Sequence, residues 1–445
     1  MVRKTPIPIS PIYGEQCKGV FQVVTPIGPQ IVLPGRFADE IRNNPHLSFS
    51  DAAVEQFYGH LPGFDPFCEV SNSIAQEVIT KKLTQSLNFI TPDLAEEAGL
   101  ALHDVLGESE DFSELFLKPK LFYFVARISS RVFSGIELCR NEEWLSLTPQ
   151  YAIDVFMAAR ALRQWPRSLT DIVHWFLPET RKIRAQVKRA RELLEPVVEK
   201  RRQNSAKAAK TADAIAWFDE VANGRLMDNV VNQLGLAWAT IHTTTELVTH
   251  TMYDLIEHPE YIDRLREEIR KVVGEGGWKK SSLYSLKLMD SVLKETQRLH
   301  MPDFGNMARI ARKKVPLSDG TVIPKGARIM VAHDRMRDSS IYKQPGQWVG
   351  DRFYQMRLTT GGETKGQLVT TSTDHTGFGH GLHACPGRFF AANESKVALC
   401  VLLMNYDWKI VGDSRPKDLF FGTELVANPE GRVLFKRRHD EILPL

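Results

Sequence analysis

Cys385 lies in a glycine-rich loop whose surroundings suit a thiolate. Residues 376–388 read TGFGHGLHACPGR, and a helical pattern follows directly. Free N–H groups and the positive end of the helix dipole at such a helix start favour the ionised form of a thiol. Gly379 and Gly387 let the backbone approach a flat partner without side-chain collision, and Phe378 can shield the sulfur from water. The loop therefore predicts a thiolate ligand held against a flat partner.

Two simpler interpretations of this loop compete with a thiolate ligand. A lone cysteine is most often a small, buried apolar side chain. His380, His383 and Cys385 could instead belong to a zinc site, although no second Cys/His cluster lies nearby to complete four ligands. The full pattern is Phe-x-x-Gly-x-x-x-Cys-x-Gly immediately before a helix, which is more specific than either interpretation requires.

This pattern resembles the haem-binding loop of the cytochrome P-450 superfamily. The resemblance implies that Cys385 is the axial ligand to the iron of haem b, and that Phe378, Gly379 and Gly387 shape the loop around it. Hydrogen bonds and exclusion of solvent around such a thiolate set how strongly it donates electrons to the iron.

The resemblance also implies cationic partners for the haem propionates. Arg309 and His383 stand where the family often places such residues, and His383 replaces the more common arginine. Lys81 and Lys82 lie in the helix from which other members supply a tryptophan or an arginine.

A second motif, Glu295-Thr296-Gln297-Arg298, lies in a predicted helix over residues 283–299. By itself, a Glu-x-x-Arg pair is common on solvated helix faces. Here Arg352 follows in Asp351-Arg352-Phe353, where the family carries its second arginine. The resemblance implies a buried ion network of Glu295, Arg298 and Arg352, structural rather than catalytic, because removing one member leaves the others unpaired.

The third motif is Ala239-Thr240-Ile241-His242-Thr243-Thr244, within a predicted central helix over residues 225–257. The family pattern there is Ala/Gly-Gly-x-Asp/Glu-Thr-Thr, which implies that Ala239 borders the haem and that Thr243 is the catalytic hydroxyl facing dioxygen. His242 replaces the usual acid, and an imidazole with an ordinary pKa of about 6.5 could donate protons near neutrality. The alternatives are ordinary helix-face threonines and a structural histidine bonded to a neighbouring helix.

The composition is that of an average globular protein. Of the 445 residues, 43% are hydrophobic and 25% are charged, with a net charge of +3, which is too small to suggest nucleic-acid binding. The cysteines are scattered and odd in number, which favours a reducing compartment over a disulfide framework.

The N-terminal segment, residues 1–18, is rich in proline, and we expect residues 19–445 to form a single domain. No apolar run reaches the roughly 20 residues that span a bilayer. Microsomal members of the family carry a membrane helix followed by such a proline-rich hinge. We therefore expect the full-length form at the endoplasmic reticulum membrane, through an anchor absent from this chain, and the chain itself to be soluble.

The periodicity predicts helices over most of residues 51–202, broken at Pro92, Pro149, Pro166 and Pro178. Short strands are predicted in residues 19–33 and 315–330. This organisation matches the fold that the resemblance implies: mainly α with a small β region, a long central helix over the haem, and the cysteine loop beneath it.

The expected function is that of a haem-thiolate monooxygenase, which uses dioxygen and a hydrophobic small-molecule substrate. No Gly-x-Gly-x-x-Gly follows a strand, so electrons are expected from a separate NADPH-cytochrome reductase. The local sequence around Thr243 and Cys385 resembles that of fungal enzymes of specialised metabolism, such as ent-kaurene oxidase and the indole-diterpene oxidases. A terpenoid or alkaloid substrate is therefore expected, with residues 304–307 and 420–423 as candidate pocket residues.

Several alternatives stay open at this point. A haem-thiolate enzyme could catalyse oxidative coupling, cyclisation or dehydration without inserting oxygen. A peroxide-driven enzyme would need no reductase, and a haem sensor would need no substrate pocket. The basic stretch in residues 181–191 is either a solvated helix face or a contact with an anionic membrane surface.

Overall fold

The computed structural model describes residues 19–68, 73–204, 212–421 and 424–439. The predicted N-terminal segment, residues 1–18, lies outside them. The α-helices in chain order are α1 (Ala38–Ile41), α2 (Phe49–Gln56), α3 (Asp65–Cys68), α4 (Ser73–Glu77), α5 (Thr84–Leu106), α6 (Leu117–Phe133), α7 (Glu142–Leu162), α8 (Thr170–Val173), α9 (Pro178–Asn204), α10 (Ala214–Ala222), α11 (Asn229–Glu257), α12 (Glu260–Ile269), α13 (Lys280–Ser285), α14 (Lys287–Leu299), α15 (Arg352–Arg357) and α16 (Arg388–Asn405). Among these described helices, none combines the length and the apolar character needed to cross a membrane.

The strands form small sheets at the edges of this helical body. In chain order they are β1 (Phe21–Thr25), β2 (Gly28–Leu33), β3 (Leu47–Ser48), β4 (Ser113–Phe116), β5 (Gly305–Ala311), β6 (Val315–Pro316), β7 (Val322–Ile323), β8 (Arg328–Ala332), β9 (Tyr406–Ile410), β10 (Leu419–Phe421), β11 (Glu424–Val426) and β12 (Arg432–Arg437). The largest sheet has the order β1-β2-β8-β5-β3, and the second has the order β4-β12-β9. In the largest sheet β2 and β8 are parallel and the other neighbours are antiparallel. The predicted fold class, mainly α with a small β region, is confirmed.

The central helix α11 organises the helical core. The side chain of Asp228 accepts hydrogen bonds from the backbone N–H groups of Val230 and Val231, so the helix begins at Asn229 rather than at the predicted residue 225. Such an N-cap satisfies donors that the first helical turn leaves free. The helix packs against α6, α7, α9, α14 and α16, which places it in the middle of the molecule.

Two of the prolines that were expected to break helices lie inside them. Pro92 is within α5 and Pro149 is within α7. In each case the preceding threonine is buried and its hydroxyl donates to the carbonyl four residues earlier: Thr91 to Leu87 at 2.5 Å, and Thr148 to Trp144 at 3.0 Å. Such back-bonding bends a helix, and burial of both helices outweighs the local cost of the proline ring.

The predicted ion network is present at the end of α14. Both Glu295 and Arg298 have fully buried side chains, and Arg298 donates two hydrogen bonds of 2.8 Å to the Glu295 carboxylate. Arg352 donates a further hydrogen bond of 2.9 Å to Glu295 Oε1. Arg298 also donates to the carbonyls of Met336 and Pro345, so the network ties α14 to the irregular segment that precedes the cysteine loop.

Candidate active site

The cysteine loop is held by its own backbone. The Thr376 carbonyl accepts from the N–H of Gly379 at 2.7 Å, and the Phe378 carbonyl accepts from the N–H of Cys385 at 2.8 Å. Gly379 has φ +69° and Gly381 has φ +80°, a region that favours glycine. A Cβ atom at Gly381 would also lie 2.4 Å from the Cβ of Arg42. These contacts explain why the loop needs glycine at these positions.

Cys385 stands immediately before α16, as the sequence predicted. Burial raises the pKa of the Cys385 thiol, while hydrogen bonds from the backbone of Gly387 and Arg388 act in the opposite direction. Phe378 is partly buried and packs against the main hydrophobic core. A metal ion removes the proton from a coordinating thiol outright, so the two backbone donors would support the thiolate form.

The zinc alternative does not fit this loop. The His380 ring lies 3.0 Å from an Asp39 carboxylate oxygen, 3.0 Å from the Arg42 guanidinium and 3.2 Å from the Thr371 hydroxyl. It therefore ties the loop to the helix α1 region. Within the described residues, His380 and Cys385 belong to no group of side chains whose ligand atoms are close enough to share an ion.

The central helix α11 is mostly buried but exposes one narrow face. Ala239 and Thr243, four residues apart, are exposed while Ile241 and Thr244 are buried. Ala239 lines a cavity of about 350 Å³, whose opposite wall includes Ala384 and Pro386, the two neighbours of Cys385. The cavity therefore separates α11 from the cysteine loop.

The Thr243 hydroxyl donates to the carbonyl of Ala239 at 2.8 Å and lies 3.3 Å from that of Thr240. This is the helix back-bond that is typical of threonine. With its proton engaged in this way, the Thr243 oxygen can only accept a hydrogen bond from a group on the open face of α11.

His242 does not have the properties that were expected of it. Burial and the nearby Lys118 lower the pKa of His242 to about 4. Its ring lies 4.9 Å from that of Phe122 in α6 and 6.2 Å from that of Phe156 in α7. Its Nε2 is buried and has no hydrogen-bond partner among the described residues. The aromatic environment disfavours the charged form of the ring, so the pKa differs from the expected 6.5, and the relay role of His242 stays a prediction.

The sequence analysis missed a buried acid beside this helix. Glu394 in α16 is fully buried, and its oxygens lie 2.5 Å from the Ser129 hydroxyl and 3.1 Å from the Thr244 hydroxyl. Burial raises the pKa of Glu394 to about 8, which favours the protonated carboxyl at neutral pH. Its signal in the sequence is an acid in the helix that follows Cys385, but nothing there indicates its partners in α6 and α11.

Arg309 and His383 lie near the same phenylalanine ring, and their role as propionate partners stays a prediction. The Arg309 guanidinium lies 5.5 Å from the centre of the Phe49 ring, and the His383 ring lies 5.8 Å from the same ring. Burial lowers the pKa of Arg309 to about 10, and burial together with the Arg309 charge lowers the pKa of His383. Arg309 is only 2% exposed.

Arg309 has no carboxylate partner within the described part of the chain, and one of its donors bonds to the Ala308 carbonyl. A buried cation without an anion is unfavourable. A ligand that brings its own carboxylates beside Arg309 and His383, as haem does, would supply the missing partner. The residues present therefore fit haem.

Lys81 lies apart from these residues. It falls in a π-helical segment, Val78–Leu83, and its largely exposed side chain is 3.8 Å from the Glu77 carboxylate. Ile79 of the same segment lines the cavity, but Lys81 does not. Lys82 pairs with Glu220 at 2.6 Å. A propionate contact from Lys81 stays a prediction.

The cavity wall is mainly aromatic and aliphatic. Its apolar lining includes Phe49, Phe57, Phe67, Phe218 and Trp238, and its polar lining includes Gln56, Gln76 and Asn232. Of the predicted pocket segment 304–307, Phe304 and Met307 are buried in the cores of the sheet, and the next residue, Ala308, lines the cavity. In the other predicted segment Phe420 is exposed, and residues 422–423 lie outside the described residues.

Comparison with known proteins agrees with this arrangement. The family model described as "Cytochrome P450" matches residues 75–436. The chain belongs to the cytochrome P450 family. This P450 is 45% identical over 428 residues to cytochrome P450 monooxygenase hepE of Aspergillus oryzae, covering 94% of the chain and 78% of the relative. It is 43% identical over 432 residues to cytochrome P450 monooxygenase 1 of Gibberella fujikuroi, covering 95% and 98% of the two chains.

The fold of this P450 also matches a solved structure. Retinoic acid-bound cyanobacterial CYP120A1 superposes with a TM-score of 0.69 at 17% identity, over 96% of this chain and 93% of the other. At that identity the likeness concerns the fold. The family and these relatives identify this P450 as a haem-thiolate monooxygenase, and such enzymes generally use dioxygen, a small-molecule substrate and a redox partner.

Proposed function

We propose that this P450 hydroxylates a rigid, hydrophobic natural product, a terpenoid or an alkaloid. The observation that carries the proposal is the cavity between α11 and the cysteine loop: haem would take the side formed by the loop, and most of the remaining lining is aromatic and aliphatic. Such walls favour a ligand with few polar groups. Gln56 and Asn232 are the polar side chains that would orient an oxygen or nitrogen of the scaffold.

Haem bound to Cys385 would supply the chemistry of dioxygen activation, by which one oxygen atom enters a C–H bond of the substrate. The residues around it have separate tasks. Arg309 and His383 would bind the propionates, and Phe378 would keep water from the Cys385 sulfur. The small side chain of Ala239 would leave room between α11 and the haem.

Proton supply would depend on the open face of α11. The Thr243 oxygen is free to accept and can orient an ordered water there. The Glu394 carboxyl lies beside the hydroxyl of Thr244, the residue that follows Thr243 in α11. In its protonated form this carboxyl would store a proton near the open face. The alternative route through His242 would need its ring to pass protons while neutral, and the coupling of His242→Ala separates the two routes.

Electrons would come from a separate NADPH-cytochrome reductase. The family uses a redox partner, and the sequence contains no dinucleotide-binding fingerprint of its own. We further propose that the full-length form works at the endoplasmic reticulum membrane, where such reductases reside.

The test combines spectroscopy and product analysis. The chain is loaded with haem and titrated with a panel of terpenoids and alkaloids, and ligands that shift the iron from low to high spin are incubated with reductase, NADPH and dioxygen. A product heavier by one oxygen atom supports the proposal. A product lighter by two hydrogens, or a dimer, would assign oxidative coupling instead, and Cys385→Ser serves as the inactive control.

A further inference from the structure

Strand β5 contains a bulge where it passes the cysteine loop. Asn306 pairs with Val331 of β8, and Arg309 pairs with Ile329. Three steps along β5 therefore match two steps along β8, so β5 carries one extra residue between these pairs. Within this bulge Met307 adopts φ +54°, which is unfavourable for a residue with a side chain.

The bulge changes which way the side chains of β5 face. In a regular strand, residues three apart point to opposite faces of the sheet. Here Asn306 and Arg309 lie opposite Val331 and Ile329, which are two apart and belong to the same buried cluster. Directly opposed residues share a face, so the extra residue brings Asn306 and Arg309 to the same side of the sheet.

On that side of the sheet, Asn306 lies at the beginning of the cysteine loop and Arg309 lies near its end. The side-chain amide of Asn306 donates to the Thr376 carbonyl, which also accepts from the N–H of Gly379. Arg309 lies over the Phe49 ring beside His383, two residues before the cysteine. One bulged strand therefore contacts the beginning of the loop through Asn306, and through Arg309 it packs on Phe49, the ring that His383 near the end of the loop also approaches.

Neighbouring elements restrict the beginning of the loop further. His333, which follows β8, lies with Nδ1 3.1 Å from the Thr376 hydroxyl. A Cβ atom at Gly377 would lie 2.0 Å from the Gln297 side-chain oxygen. The Thr376–Gly377 turn thus has little room to move. The side chain of Asn306 adds a hydrogen bond to the backbone carbonyl of Thr376.

We infer that Asn306 is a positioning residue for the Cys385 thiolate, and that the bulge at Met307 exists to aim it. Asn306 fixes the Thr376 carbonyl, this carbonyl fixes the Gly379 turn, and the adjacent Phe378 carbonyl receives the N–H of Cys385. Strained backbone of this kind persists where the surroundings determine it and often lies at functional sites. The inference rests on Cys385 being the haem ligand.

The test measures ligation rather than turnover. Asn306→Asp replaces the amide donor by a carboxylate that repels the Thr376 carbonyl. The readouts are the iron reduction potential and the ratio of thiolate-bound to thiolate-free haem in the reduced carbon-monoxide complex. We expect this ratio to fall about tenfold, the effect of losing one buried hydrogen bond. Circular dichroism confirms folding, and Asn405→Asp is the matched control, because the Asn405 amide donates to Val401 near the far end of α16.

A second pair of variants tests the bulge independently. Met307→Gly suits the left-handed backbone and should keep the wild-type ratio and potential, whereas Met307→Val should lower the ratio as Asn306→Asp does. This pair decides the question if Asn306→Asp fails to retain haem. Wild-type values in both Asn306→Asp and Met307→Val would overturn the inference. A wild-type protein without any thiolate band would instead overturn the assignment of Cys385.

Discussion

The Thr244 hydroxyl of the central helix lies 3.1 Å from a carboxyl oxygen of Glu394 in α16, the helix that begins just after Cys385. The Ser129 hydroxyl of α6 lies 2.5 Å from the other oxygen. A single buried carboxyl therefore joins three helices, and its protonation connects the stability of the fold to pH.

Glu394→Gln should make stability less dependent on pH. Burial raises the pKa of Glu394 from 4.5 to about 8, so between these values the folded protein holds a proton that the unfolded chain releases. Stability then falls as pH rises through this window, by at most about 1.4 kcal/mol per pH unit. The uncharged glutamine has no such titration and should flatten the curve.

The measurement is the thermal midpoint of both proteins from pH 5 to pH 8, a range within the window set by the Glu394 pKa. Subtracting the thermal midpoint of one protein from that of the other at each pH removes the contributions of titrating groups that both proteins contain. Glu267→Gln, an exposed acid in α12, is the matched control and should run parallel to the wild type. A Glu394→Gln curve parallel to the wild type would mean that Glu394 is ionised in the folded protein.

Cys385→Ser should abolish thiolate ligation, while Cys400→Ser should leave it intact. Cys400 lies in the same helix region but is fully buried in the core, where burial raises the pKa of its thiol. The reduced carbon-monoxide spectrum distinguishes the two variants. A thiolate band that survives in Cys385→Ser would contradict the assignment of the ligand.

Glu295→Ala should impair folding or haem retention rather than chemistry. Arg298 and Arg352 would lose their shared carboxylate, and an unpaired buried charge costs roughly 3–5 kcal/mol. The yield of soluble, haem-loaded protein and its thermal midpoint measure the effect. Glu143→Ala, which breaks an exposed pair with Arg189, should change little. A stable, haem-loaded but inactive Glu295→Ala would point to a catalytic role.

Thr243→Ala should uncouple the enzyme, so that NADPH is consumed and peroxide is released in place of product. The reason is that the acceptor on the open face of α11 is lost. Product and peroxide per NADPH are the quantities to measure. Thr251→Ala, a buried threonine further along α11 that back-bonds to Leu247 in the same way, is the control and should stay coupled.

His242→Ala should remain coupled from pH 6 to pH 8, because a pKa of about 4 leaves the ring neutral throughout this range. His242→Asp should be less stable, since it buries a carboxylate against Phe122 and Phe156. If His242→Ala released peroxide as Thr243→Ala is expected to, His242 would regain the relay role that its replacement of the family acid suggests.

The motifs with local spacing could be predicted from the sequence. Cys385 and its glycines, and the pairing of Glu295 with Arg298, depend on residues close together in the chain, and the structure contains both arrangements. The expectation that Arg309 and His383 bind propionates came from resemblance rather than from spacing. Their meeting at Phe49 depends on a strand and a loop far apart in sequence.

What the sequence could not provide depends on long-range packing. The pKa of His242 is set by rings in α6 and α7, and that of Glu394 by burial among three helices. The bulge at Met307 is visible only in the register with β8. Local rules also failed at Pro92 and Pro149, where tertiary packing overrides a helix breaker.

The small side chain at Ala239 has a practical consequence for redesigning this enzyme. It is exposed on the open face of α11 and lines the cavity, and it belongs neither to the ion networks nor to the cysteine loop. Bulk added there would shift a rigid scaffold sideways over the reactive centre while leaving the fold's supports untouched. Under the proposed function, Ala239 is therefore a position at which a substitution would change the site of oxidation on the scaffold.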